Sequence, residues 1–173
     1  HQAITLFDQI GKQEELARSY LRMGYDEYMR KDISVALKWM ERAKAVALKY
    51  EKYDVAANSL NVLGSINFAH GNIVEGLDFL LQEANLFEST AFDKSNINDP
   101  YGAIAMVYYD LNELDSALLY AEKGLNHHAA HKSDDPADNA INFSYKGQIL
   151  EKQGRIAEAR VAYEEMLRLG VDT

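Results

Sequence analysis

The sequence predicts an all-α fold, an α-α superhelix of stacked antiparallel helix pairs. Three observations point to it. A pattern of large and small residues recurs four times in the 173 residues, the chain holds only 2 Pro, and 47% of its residues are hydrophobic. An internal repeat of this kind is typical of helix pairs that bury their apolar faces against their neighbours. The scarcity of Pro suits helix throughout.

The repeat runs large, large-small, small, large, small at fixed offsets. Turn-favouring residues fall between the two halves of three copies, at Gly71, Asn112 and Gly154. The four copies are Tyr20, Met23-Gly24, Ala36, Met40, Ala43; Leu60, Leu63-Gly64, Gly76, Leu80, Glu83-Ala84; Tyr101, Ile104-Ala105, Tyr108, Ala117, Ala121, Gly124; and Phe143, Lys146-Gly147, Leu150, Ala159, Tyr163, Met166.

These residues resemble the tetratricopeptide repeat (TPR), whose pattern runs W-x2-L-G-x2-Y, then A-x3-F, then P. The resemblance covers almost the whole chain, although no Trp fills the first slot and Glu27 and Asn67 replace the usual aromatic residue. It implies a TPR-like solenoid that binds a protein or an extended peptide in a concave groove. The first helix of each pair would line that groove, and the superhelix would be right-handed.

The period is longer than the TPR standard. The small slots of successive copies are spaced by 40, 41 and 42 residues, against about 34 in the standard repeat. Residues 44–57 contain neither Pro nor Gly and favour longer helices, whereas the polar residues 88–100 favour a longer loop. Repeats of this period resemble those of kinesin light chains and of many bacterial signalling proteins.

We expect a single domain over residues 1–173, with residues 1–12 forming the second helix of a truncated preceding repeat. Four repeats follow, at 13–51, 52–95, 96–134 and 135–173. The predicted helices lie at about 13–30, 33–49, 53–70, 73–88, 100–111, 114–129, 137–153 and 156–169.

Local signals support several helix ends. Asp32 can cap the helix that follows it, and Pro100 suits the first turn of the next repeat, with Asp99 before it. Gly170 is typical of a helix C-cap. The lone Trp39 is interpreted as packing rather than as a ligand platform, because that is the usual role of a Trp on a helix.

Composition excludes several functions. The net charge of −9 argues against nucleic acid and anionic membranes, which need basic patches. No Gly-rich phosphate loop, nucleophile elbow or HExxH motif is present, so we expect no enzyme activity and no cofactor. The chain has no Cys, which fits a reducing compartment, and we expect a cytoplasmic location.

Three histidines near the end of the third repeat present two alternatives. His127 and His131 are four residues apart, so one helix face could offer both to a metal. A convincing carboxylate ligand is missing, and histidines also suit the C-terminal end of a solvated helix because of its dipole. We therefore predict no metal site there.

The predicted binding face is the side of each first helix that points away from the core slots. Chaperone-binding TPRs hold a peptide carboxylate with Lys, Asn and Arg at such places, and here Val62, Asp99 and Gly102 are among the residues found instead, which excludes that specificity. The candidate contact residues are Arg18, Leu21, Arg22, Tyr25, Tyr28, Asn58, Asn61, Ser65, Phe68, Met106, Tyr109, Ser144 and Gln148, with Gly102, Ile141 and Glu151 on the same faces.

Two functions remain open. The first is a protein–protein or peptide-binding module, a sensory or scaffolding segment excised from a larger signalling or regulatory protein. The second is a peptide-pheromone or small-ligand receptor domain of a bacterial transcriptional regulator. In receptors of that class Asn side chains hold a peptide backbone, a role that Asn58 and Asn61 would suit.

An aromatic residue recurs four positions after the small slot in three copies, at Tyr28, Phe68 and Tyr109. These rings would form a row of anchors along the groove, since aromatic residues are frequent anchors in recognition. Alternatively, the rings wedge between neighbouring repeats. The fourth copy has Glu151 at this place, where a basic group of a partner would meet the carboxylate.

We predict weak self-association through the ends of the chain. The first and last helices lack neighbours that would cover their apolar faces, and repeat proteins need polar capping repeats to stay dispersed. Light scattering at rising concentration should therefore show dimers or end-to-end assemblies. A strict monomer at millimolar concentration would contradict this expectation.

Overall fold

The computed structural model describes residues 12–92, 94, 99–131 and 136–169, with side chains at all of these except 128–131 and 136–138. Over these ranges every regular element is an α-helix. The predicted all-α fold is therefore confirmed, and each helix begins and ends within two residues of its predicted bounds. The helices are α1 (Gln13–Met29), α2 (Ile33–Lys49), α3 (Tyr53–Ala69), α4 (Ile73–Ser89), α5 (Tyr101–Asp110), α6 (Leu114–His131), α7 (Pro136–Lys152) and α8 (Ile156–Arg168).

The chain divides into two compact units, His1–Asn98 with α1 to α4 and Asp99–Thr173 with α5 to α8. Within each unit every helix packs against the next one along the chain. In addition, α1 touches α3 in the first unit and α5 touches α7 in the second. Contact between the first helices of successive pairs is what stacking of helix pairs requires. The predicted boundaries of the four repeats stay a prediction.

One turn geometry joins most neighbouring helices. In the turn between α3 and α4, the Asn72 N–H donates to the Asn67 carbonyl at 2.9 Å and the Gly71 N–H donates to the Phe68 carbonyl at 3.0 Å. This pair of bonds is the Schellman motif, whose middle residue takes a left-handed conformation. The middle residues of the five such turns, with their φ angles, are Lys31 (64°), Glu51 (56°), Gly71 (79°), Asn112 (61°) and Gly154 (77°).

The turns predicted at Gly71, Asn112 and Gly154 are thus confirmed. The left-handed conformation of Lys31 and Glu51 was not predicted, because an L residue with a long side chain is disfavoured in it. Their backbone bonds repeat those of the glycine turns, with the Lys52 N–H donating to the Ala47 carbonyl at 2.8 Å. The hydrogen-bonded motif therefore outweighs the local conformational preference.

The extra residues of the long period are used in two ways. Between the first two pairs, α2 continues to Lys49 and α3 begins at Tyr53, so residues 44–57 lengthen the helices as predicted. After α4 ends at Ser89, the described residues before Tyr101 are not helical. They agree with the longer loop predicted at 88–100, although Glu88 and Ser89 still belong to α4.

Side chains fix the loop and the helix starts. The Phe92 ring meets the Phe87 ring edge-on at 5.5 Å between centroids, and the Lys94 ammonium donates to the Phe87 carbonyl at 2.6 Å. The Asp99 carboxylate accepts the Tyr101 N–H at 2.9 Å, so α5 begins one residue after the predicted Pro100. The Asp32 carboxylate accepts the Val35 N–H at 3.2 Å, which confirms the predicted cap. The predictions for residues 1–11 and Gly170 lie outside the described residues.

The helices of a pair approach closely where the repeat places a small residue. A Cβ atom on Gly64 would lie 3.0 Å from the Leu80 side chain, and one on Gly147 would lie 2.5 Å from the Tyr163 ring. Trp39 is buried and stacks on Tyr20 with ring centroids 5.5 Å apart, which confirms its interpretation as a packing residue.

We predict that Gly64→Leu lowers the free energy of unfolding by about 1–3 kcal/mol, because a side chain there would overpack the contact between α3 and α4. Its Cβ atom would also lie 3.2 Å from the Gly76 carbonyl oxygen, which is backbone and yields little. Ser65→Leu is the matched control, since Ser65 is the exposed neighbour. Chemical denaturation of both variants checks this, and equal stability would contradict it.

Candidate binding groove

A depression lies between the first helices of the two pairs in the second unit, α5 and α7. It has a volume of about 190 Å³. We call it the α5/α7 groove. Its lining consists of Ala105, Met106, Tyr109 and Asp110 from α5 and Tyr145, Gln148 and Ile149 from α7.

The wall of the α5/α7 groove is mostly apolar and aromatic. Met106 is 44% exposed, and the Tyr145 hydroxyl donates to its sulfur at 3.6 Å. Ala105 and Ile149 are fully buried members of the core of this unit, and Tyr109 and Tyr145 pack against that core. The wall is therefore supported from behind by the same residues that hold α5 and α7 together.

One end of the groove carries charges. Asp110 is exposed. The Lys152 ammonium lies 4.3 Å from the centroid of the Tyr109 ring and donates to the Tyr109 carbonyl at 3.3 Å. Glu151, in the last turn of α7, accepts the Tyr163 hydroxyl at 3.0 Å. The C-terminal ends of α5 and α7 thus lie together at this end.

In the first unit, the corresponding faces of α1 and α3 hold the other predicted contact residues. Tyr25 and Tyr28 are 43% and 36% exposed, Arg22 and Ser65 are exposed, and Leu21 and Asn58 are half-buried. Burial raises the pKa of the Tyr25 phenol above its ordinary value.

Three predicted contact residues in this unit make bonds or close contacts within the fold. Arg18 pairs with Asp54 at 2.5 Å and so links α1 to α3. Asn61 donates to the fully buried Glu83 at 3.2 Å. The half-buried Phe68 ring lies against Gly76 of α4, where a Cβ atom would be only 2.9 Å from it. These side chains support helix packing in addition to any contact with a partner.

The structure therefore brings together Met106, Tyr109 and Gln148 from the predicted list. Ser144 lies one turn away on α7, and its hydroxyl accepts a hydrogen bond from the Gln148 amide at 3.1 Å. Sequence reasoning missed Tyr145 and Asp110. Tyr145 precedes its small slot Gly147 by two residues, the offset at which Arg22 was selected in the first copy. Applying that offset to every copy would have found Tyr145, whereas Asp110 had no such signal.

Neither a metal cluster nor a membrane span is found in the described part of the chain. No three His, Cys, Asp or Glu residues there could hold a metal ion together. The ring of His127 lies 5.8 Å from that of Tyr101, while the side chains of His128 and His131 are outside the description. Across the same residues, no helix combines the length and apolarity that crossing a bilayer requires.

Comparison with known proteins identifies the class of fold. No family model matches the chain, and no curated protein matches it. Among solved structures, it is similar to BtubC (BKLC) from P. vanneervenii, with a TM-score of 0.75 and 17% identity over 91% of this chain and 64% of that one.

A second similar structure is a putative kinesin light chain from Podosopora anserina with nearly identical TPR-like repeats. Its TM-score is 0.60 and its identity 16%, over 98% of this chain and 82% of that one. The fold is thus TPR-like, as the repeat pattern predicted. The chain spans about 64% of the length of BtubC.

We predict that Tyr163 titrates late. Burial, and then its hydrogen bond to Glu151, raise the pKa of Tyr163 to about 12. A tyrosine in the unfolded chain ionises near pH 10, so the native state keeps the neutral phenol while the unfolded state loses its proton. The contribution of Tyr163 to stability is therefore present below pH 10 and is lost as the pH rises towards 12.

Absorbance at 295 nm, compared between the wild type and Tyr163→Phe, isolates this titration. Tyr108→Phe serves as the control, because Tyr108 is a half-buried tyrosine of the same unit. An ordinary pKa for Tyr163 would contradict both the burial of its phenol and its bond to Glu151.

Proposed function

We propose that this protein is a non-catalytic binding module that takes an extended segment of a partner protein in the α5/α7 groove. The supporting observation is the apolar, partly exposed wall of Met106, Tyr109 and Tyr145 on two first helices. TPR-like repeats characteristically offer such surfaces to partners, and folds of this type are typically non-catalytic.

The size of the groove favours a peptide over a small molecule. Pockets that enclose a small molecule have volumes of roughly 300–1,000 Å³, whereas the α5/α7 groove has about 190 Å³. A depression of that size suits one side chain of a longer ligand whose backbone lies outside it. The bond between Asn61 and Glu83 also argues against the receptor alternative, in which Asn61 would hold a peptide backbone.

Within a cell, such a module would serve as a sensory or scaffolding segment of a larger signalling or regulatory protein. The repeats would supply rigid faces, and the partner would be selected by the side chains on them. The exposed Tyr25 and Tyr28 of α1 offer a second aromatic surface for contact in the first unit.

We predict that Met106→Ser weakens partner binding about tenfold while leaving stability nearly unchanged. Met106 is 44% exposed, so truncation removes contact area from the groove without opening a core cavity. Met29→Ser is the matched control, because Met29 is 78% exposed and lies on α1.

Peptides selected for binding to the wild-type protein serve as probes. Fluorescence anisotropy measures their affinity for both variants, and thermal melts measure the stability of both variants. Equal affinity of the Met106 and Met29 variants would contradict a role for the α5/α7 groove.

A further inference from the structure

The α5/α7 groove joins an apolar wall to an acidic end. No ion pair in the described part of the chain includes the exposed Asp110, which lies on the groove lining. Its carboxylate stands where α5 ends, and the C-terminal end of a helix carries partial negative charge. The end of α7 lies beside it, because Lys152 in the last turn of α7 bonds the Tyr109 carbonyl.

The fold already places one cation, the Lys152 ammonium, at this end of the groove. Lys152 is the basic residue of the last turn of α7, and its ammonium group crosses to α5, where it bonds the Tyr109 carbonyl and covers the Tyr109 ring. One cation is thus already held by the carbonyl and ring of α5. The Asp110 carboxylate is left available for a second one.

Charge therefore discriminates between possible partners. A basic side chain at Asp110 would gain an ion pair next to two helix C-termini. An acidic side chain there would meet the Asp110 carboxylate on a protein whose net charge is −9. Repulsion between like charges disfavours the binding of an acidic segment. The charge of Asp110 therefore affects the choice of partner more than the strength of binding.

The distance between Met106 and Asp110 sets the spacing of the two peptide side chains that would contact them. Met106 and Asp110 are four residues apart on α5, and a helix rises about 1.5 Å per residue, so their Cα atoms are about 6 Å apart along the axis. An extended peptide advances about 3.3 Å per residue and places alternate side chains on one face. Residues two positions apart in a peptide therefore match this separation.

We propose that the α5/α7 groove selects extended peptide segments in which an apolar residue and a Lys or Arg are separated by one residue. The apolar side chain lies against Met106 and Tyr145, and the basic group pairs with Asp110. This inference rests on the proposed function and adds the chemistry of the partner.

The test begins with a random 12-residue phage-displayed peptide library selected on the full chain. We expect enrichment of peptides with an apolar and a basic residue two positions apart, in either order. Asp110→Asn should weaken the selected peptides about tenfold, as expected for loss of a charged hydrogen bond. Asp26→Asn is the matched control, since Asp26 is an exposed aspartate of α1 and its loss changes the net charge equally.

A charge swap and a location measurement complete the test. Asp110→Lys should bind the selected peptides better when their basic residue is replaced by Glu. The ¹³C-methyl signal of Met106, assigned with Met106→Leu, should shift on peptide addition. Thermal melts of the Asp110 variants should match the wild type, because this residue is exposed.

The outcomes separate the two proposals. If selected peptides shift the Met106 signal but carry no basic residue, or bind Asp110→Asn as tightly as the wild type, the charge rule is wrong and the groove remains a binding site. If no peptide is selected, or selected peptides leave the Met106 signal unmoved, both the charge rule and the proposed groove are wrong.

Discussion

The close approach of paired helices at one small residue per repeat is the constraint on which the rest of this structure depends. Gly147 lets the Tyr163 ring of α8 lie against the backbone of α7, and Gly24 does the same for the Met40 side chain of α2. A large residue of the second helix thus fills the space that a small residue of the first helix leaves. The register of each pair follows from this fit, because a shift along the helix would place a large residue in the slot.

Polar side chains are also buried between the helices. Asn142 is only 3% exposed, and Cβ atoms on Gly102 and Gly124 would lie 3.1 and 2.7 Å from its amide oxygen. Glycines on two helices therefore make room for one amide on a third. In the first unit Glu83 is fully buried and accepts from Asn61. Buried polar groups of this kind restrict how neighbouring helices can slide, because each must keep its position among its neighbours.

The groove is a consequence of this packing. Ala105 and Ile149 belong to the core between α5 and α7, and Met106 and Gln148 follow or precede them directly in the sequence. On a helix, adjacent residues point in directions about 100° apart, so each buried residue that supports the groove has a more exposed groove residue next to it in the sequence. The backbone positions of the groove residues are therefore set by the core that holds α5 and α7 together.

The sequence by itself determined the fold class, the helices and three of the five left-handed turns. Those features follow from local chemistry repeated in register: small slots, Asp32 as a cap, and residues such as Gly71 that adopt the left-handed conformation. Sequence spacing also identified the helix faces, and with them Met106, Tyr109 and Gln148.

Only the tertiary structure decided which residues on those faces meet. Asp110 lies on the groove because α5 ends there beside the end of α7. Tyr145 lies on it because its hydroxyl reaches from α7 to Met106 on α5. Arg18, Asn61 and Phe68 share the same kind of face yet make bonds or contacts within the first unit. The physical reason is that periodicity fixes the direction of a side chain on its own helix. Contacts between side chains also depend on the distance and rotation between two helices, which the packing of both cores sets.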